Sequence, residues 1–122
     1  MASTLKSVKK RYDRLRRLYF LDAEEPLKIP PTSRSIRWYW LPPTAGFLAL
    51  TEFDEEWEPT SIGIDPMLGK ADAILLTTTL LHELLHIRDP RIGGHSMSGC
   101  STKSSAWKSE VMRLASLGAP LL

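Results

Sequence analysis

The sequence predicts an α+β domain, on three observations. A basic amphipathic stretch opens the chain, three short runs of branched and aromatic residues fill the middle, and two helical patterns close it. The 122 residues are 43% hydrophobic and 25% charged with net charge +2, the composition of one compact domain spanning residues 1–122. A chain of this length removes well over half of its unfolded surface from water on folding, so a sizeable core is available. Nine prolines and seven glycines are ordinary, which excludes collagen-like and wholly disordered chains, and the single cysteine, Cys100, excludes a disulfide scaffold.

Leu5, Val8, Tyr12, Leu15 and Tyr19 recur at intervals of three and four, which predicts an amphipathic helix over about residues 3–21. Its other faces carry Lys6, Lys9, Lys10, Arg11, Arg14, Arg16 and Arg17 against Asp13 alone, so residues 1–21 hold +6 and the remainder −4. A face of this charge can make weak contact with nucleic-acid phosphates, with Lys9, Lys10, Arg14 and Arg17 as its cations; a solvated helix face is the other reading.

Prolines 26, 30 and 31 end that pattern. Three strands follow, at Ile36–Leu41, Gly46–Phe53 and Thr60–Ile64, expected to form a mostly antiparallel sheet. Glu52, Asp54, Glu55, Glu56 and Glu58 read as a solvated acidic loop without metal-ligand spacing. Asp65 before Pro66 signals a short helical turn over 66–68. From about Ala71 to Arg88 the apolar residues Ile74, Leu75, Leu81, Leu84, Leu85 and Ile87 surround most of a helix, which is therefore expected to be buried, and Asp89-Pro90 stops it. Residues 91–101, with Gly93, Gly94 and Gly99, read as a loop, after which Ser101 or Thr102 caps a last helix running to about Leu117.

The most apolar stretch contains Asp72, His82, Glu83 and His86, so no membrane span is expected. The amino terminus is basic where a secretory leader needs an apolar run, and a cytoplasmic protein is the expectation.

Residues 82–86 read His-Glu-Leu-Leu-His inside the buried helix. Four residues turn a helix through about 400°, so His82 and His86 project one turn apart from one face and can share a metal ion. Glu83 lies beside them, placed to act on a water without being a ligand. Shuffling this composition produces the pattern with a probability of only about 0.3%. A catalytic zinc needs a third protein ligand and an open position. His95, nine residues after His86 in the glycine-rich loop, is the leading candidate; Glu110 on the following helix is its rival, and Asp89 and Cys100 are weaker ones.

The segments SIGIDPML, TTTLLHELLHI, GGH and AWKSEVMRL together resemble the SprT-like zinc metallopeptidases over about residues 60–117. Two positions depart from the family pattern: Ser96 stands where glycine usually follows the third histidine, and the next aromatic, Trp107, comes twelve residues after His95. The resemblance implies a small zincin-like domain with His82, His86 and His95 as Zn2+ ligands and Glu83 as general base and acid. It implies hydrolysis of peptide bonds in protein substrates, including proteins attached to nucleic acid. The strand Thr60–Ile64 is the expected aligner of an extended substrate, and Tyr39 and the basic residues are candidates for stabilising the oxyanion. The contrasting expectation is a nucleic-acid or partner-binding module with a structural, closed zinc site and no catalysis.

Overall fold

The computed structural model describes residues 4–42, 45–70, 72–92 and 105–120, and over these the fold is α+β. Helix α1 spans Leu5–Tyr19, strands β1, β2 and β3 span Arg37–Trp40, Ala49–Phe53 and Pro59–Ile64, and helices α2 and α3 span Ala73–Arg88 and Ser105–Ser116. No helix among the described residues is long and apolar enough to cross a membrane.

The start of α1 is set by a reciprocal capping pair. Thr4 accepts from the Ser7 amide through its hydroxyl at 3.1 Å, and the Thr4 amide donates back to the Ser7 hydroxyl at 3.0 Å. Val8, Tyr12 and Leu15 of the expected stripe are buried, and Leu5 and Tyr19 flank them half-buried. Tyr12 meets the edge of Trp38 at 5.2 Å between ring centres, which joins α1 to the sheet. Asp72 caps α2 by accepting from the Leu75 amide at 2.9 Å, and Asp65 caps a 3₁₀ turn, Pro66–Gly69, by accepting from Met67 at 2.8 Å.

The sheet is mixed, with one parallel pair where mostly antiparallel pairing was expected. The strand order is β1-β3-β2, with β2 antiparallel and β1 parallel to the central β3. The reason lies in the connections. Residues 54–58 close a tight hairpin between β2 and β3, whereas the connection from β1 to β2 passes from one edge of β3 to the other. That crossing is pinned on both sides: the Leu41 amide donates to the Ile64 carbonyl and the Asp65 amide to the Leu48 carbonyl, each at 2.8 Å. Gly63 is needed beneath it, because a Cβ there would stand 2.5 Å from Leu41 Cδ2.

Helix α2 is buried from Leu76 onward except at the partly exposed Thr78, Thr79 and His82, and packs between α1 and the sheet. Ile74 and Leu75, expected in the core, are instead exposed, at 69% and 37%. The first turn of α2 is exposed through Leu75, and burial begins at Leu76. Arg11 reaches across from α1 to donate to the Thr77 hydroxyl at 2.9 Å.

Candidate metal centre

The second half of α2 presents His82 and His86 one turn apart, with their Nε2 atoms 3.1 Å from each other. Two imidazole nitrogens held by one zinc at about 2.05 Å stand about 3.1–3.4 Å apart for N–Zn–N angles of about 98–110°, so the pair is spaced for a shared metal as well as for a shared proton. His86 is fully buried and His82 is half-buried, so the site opens on the His82 side. Trp107 of α3 forms a wall, its ring centred 4.9 Å from that of His82 and 6.4 Å from that of His86.

Glu83 points from the same turn toward β2, where the Thr51 hydroxyl donates to its Oε1 at 2.8 Å. Both residues are buried, at 1% and 3% exposure. A buried carboxylate needs such a donor, and the bond fixes which way the carboxylate faces. From the hairpin between β2 and β3, the Trp57 indole N–H donates to the carbonyl of His86 at 3.1 Å.

The rivals for the third ligand are committed elsewhere. Both oxygens of Glu110 are held by arginines: Arg88 Nε donates to Oε1, and Arg113 Nε to Oε2 at 3.2 Å. Arg88 also donates to the Asp22 carbonyl and Arg113 to the Tyr19 carbonyl, so this buried cluster ties the ends of α1, α2 and α3 together. Asp89 is fully buried and caps the 3₁₀ turn Pro90–Ile92, accepting from the Arg91 amide at 3.0 Å and from the Arg91 side chain at 2.8 and 2.7 Å. Burial acts to raise the Asp89 pKa, but the hydrogen bonds and charge of Arg91, helped by Arg88, outweigh it and hold the carboxyl below its ordinary value. His95 and Cys100 lie outside the described residues, as do Ser96 and the cap residues Ser101 and Thr102. Among the described residues, no group of three His, Cys, Asp or Glu side chains is placed to hold a metal ion.

Two further expectations are corrected by the sheet. Tyr39 cannot serve the reacting centre, because strand alternation puts it on the face opposite Thr51, where its hydroxyl donates to Glu52 at 2.9 Å. Burial and then the Glu52 carboxylate raise the Tyr39 pKa, so the phenol stays protonated well above neutral pH. Strand β3 cannot align a substrate by backbone pairing, since it is the central strand and is bonded on both sides. The strand that is both an edge and adjacent to Glu83 is β2.

The acidic segment is solvated at Glu55 and Glu56, but Asp54 is structural: its carboxylate accepts from the amides of Glu56 at 2.8 Å and Glu58 at 3.0 Å. On α1, Lys6, Lys10, Arg14 and Arg17 are the exposed cations, and none of them bonds an acid among the described residues. Lys9 is half-buried, Arg16 donates to the Pro30 carbonyl at 2.6 Å, and the one acid, Asp13, is turned inward onto Ser33.

Three contributors to this region escaped the sequence pattern. Thr51 was one polar residue in a strand; only its register opposite Ile62, on the inward face, marks it. Trp107 stood out only as the aromatic twelve residues after His95, with nothing to place its ring against the histidines. Trp57 had one signal available: Pro90 follows His86 by four and leaves that carbonyl without a helical donor. No protein-family model, no curated protein and no solved structure matches the chain.

Proposed function

We propose that this chain is a zinc-dependent metalloendopeptidase of the SprT-like kind, with His82 and His86 as two metal ligands, His95 as the third, and Glu83 as general base and acid. The observation that carries this reading is the convergence of the His82 and His86 Nε2 atoms at 3.1 Å, with a buried carboxylate at the intervening position Glu83. Neutral imidazoles suit zinc as donors, and a zinc ion held by them supplies a polarised carbonyl and a water of pKa about 7.

The remaining work falls to the chain. Glu83 removes a proton from the attacking water and returns it to the departing amine, and Thr51 keeps Oε1 fixed while the other oxygen exchanges the proton. The β2 edge aligns an extended peptide beside Glu83 by strand addition. The Thr51–Glu83 bond favours this reading over a structural zinc module, which has no use for a carboxylate fixed next to its ligands. The exposed cations Lys6, Lys10, Arg14 and Arg17 fit weak, sequence-independent contact with nucleic acid, and proteins bound to nucleic acid are one substrate class this combination serves.

Glu83→Gln tests the enzyme reading directly. Zinc stoichiometry and melting temperature should stay near wild type, while hydrolysis of an unfolded casein-like substrate and of a DNA-bound protein falls by about 10² to 10⁴. Hydrolysis that survives both this change and chelation rejects Glu83 as the base. Zinc-loaded wild type that cuts neither substrate rejects the peptidase reading in favour of the structural one.

A further inference from the structure

We propose that Trp57 is a positioning residue for the paired imidazoles: its indole N–H takes the His86 carbonyl that Pro90 leaves without a helical donor, and so holds the turn that carries both histidines. This role rests on the metal reading above.

In an α-helix the carbonyl of residue 86 accepts from the amide of residue 90. Residue 90 is proline and has no amide hydrogen. Two carbonyls of the same turn find backbone donors: Leu85 accepts from the Asp89 amide at 3.0 Å, and Arg88 accepts from the Lys28 amide at 2.8 Å. The His86 carbonyl accepts instead from a side chain on another element, Trp57 Nε1 at 3.1 Å. Because His86 is fully buried, water is a poor substitute for that donor.

The hairpin is built to deliver this one N–H. Trp57 has φ +63, in the left-handed region that glycine or asparagine usually occupies, so a bulky ring is kept there against its backbone preference. Asp54 organises the turn through its carboxylate, and the Trp57 amide donates to the Asp54 carbonyl at 3.1 Å. The indole stacks on Phe53 with 3.9 Å between ring centres and 6° between planes. Lys28 anchors the same turn, donating to the Glu56 carbonyl at 2.8 Å and pairing with Glu58 at 3.2 Å. Without the indole donor, the His86 carbonyl would tilt outward in search of a partner, as carbonyls on the wet side of bent helices do. That tilt rotates His86 relative to His82 and changes the 3.1 Å separation on which a shared metal depends.

The test uses the whole chain and cobalt(II) as a spectroscopic probe. Trp57→Phe keeps a ring to stack on Phe53 and removes the N–H. Its cobalt dissociation constant should rise about 10-fold, at the low end of the 10–100-fold seen for groups that orient metal ligands, and its d–d absorption should change shape. Tyr12→Phe removes a bond of the same type, from the Tyr12 hydroxyl to the Pro31 carbonyl at 2.8 Å, away from the histidines. It should lower the melting temperature and leave cobalt affinity and spectrum at wild-type values. Should the phenylalanine variant at 57 fail to fold, the benzothienyl analogue of tryptophan, close to it in outline with sulfur in place of the N–H, reads the same quantity. Wild-type affinity and spectrum in the Trp57 variant overturn the inference while the metal reading stands, as does an equal loss in the Tyr12 variant. A wild type that binds no cobalt through His82 and His86 overturns the metal reading itself, and this role with it.

Discussion

Replacing Glu110 by alanine separates the two roles that a carboxylate on α3 can have. In the structure it neutralises Arg88, whose side chain is 5% exposed, and Arg113, which is 25% exposed. Removing it leaves the Arg88 guanidinium buried without a counter-charge, a loss of about 3–5 kcal/mol in comparable cases. Arg88 still donates to the Asp22 carbonyl and Arg113 can turn to solvent, so the lower end, about 3 kcal/mol, applies here. At about 2.1 cal/mol/K per residue, the chain's unfolding entropy is about 256 cal/mol/K, and the expected fall in melting temperature is about 12 °C. Melting of the metal-free protein by circular dichroism reads this directly. Zinc affinity, measured by competition with a chromophoric chelator well below the new transition, should change less than about threefold, because Glu110 contributes no donor atom to the imidazole pair. A metal-free melting temperature within about 4 °C of wild type, combined with a 100-fold weaker zinc affinity, would refute the reasoning and make Glu110 a ligand.

The parts of this fold that were legible in the sequence are those whose signal is local. The stripe of α1, the Asp65 cap and the bounds of all three strands lie within a few residues of their expected places, because periodicity and capping act over one or two turns. Parallel pairing of β1 was not legible: the run 41–48 has the composition of a hairpin loop, and what makes it a crossover is its bonds to Ile64 and Asp65, far along the chain. Exposure of Ile74 and Leu75 was hidden for a similar reason, since hydrophobicity does not say where along α2 the neighbouring elements stop. At the candidate site, the helical spacing alone brings His82 and His86 together, whereas the hydroxyl that fixes Glu83 and the buried arginine that holds Glu110 come from other elements, Thr51 on β2 and Arg88 on α2. Chemistry-bearing residues announce themselves by type; the residues that orient them are identified only by tertiary contact.

His95→Ala should weaken zinc affinity strongly while leaving the melting temperature of the metal-free protein unchanged, since a three-imidazole site loses closure when one goes; unchanged affinity in an equilibrium titration would exclude His95. The depressed Asp89 pKa makes its bonds to Arg91 a source of stability that is fully present above the ordinary carboxyl value of 3.8 and lost as pH falls through the lower folded value. Asp89→Asn should therefore cost more melting temperature at pH 7 than at pH 2, and an equal cost at both would deny that the ionised form matters. For α1, the spacing of Lys6, Lys10, Arg14 and Arg17 at four, four and three residues keeps them within one sector of the helix, along about 16 Å of its axis. If all four meet phosphates of duplex DNA, the slope of log affinity against log salt is about −3.6, so a rise from 50 to 200 mM salt weakens binding about 150-fold. Changing all four to glutamine should remove the binding and its salt dependence with no loss of fold, because none of the four holds another element in place. A slope near zero in the wild type, measured by fluorescence anisotropy on two unrelated duplexes, would leave this face as a solvated surface and assign any remaining nucleic-acid contact to another part of the molecule.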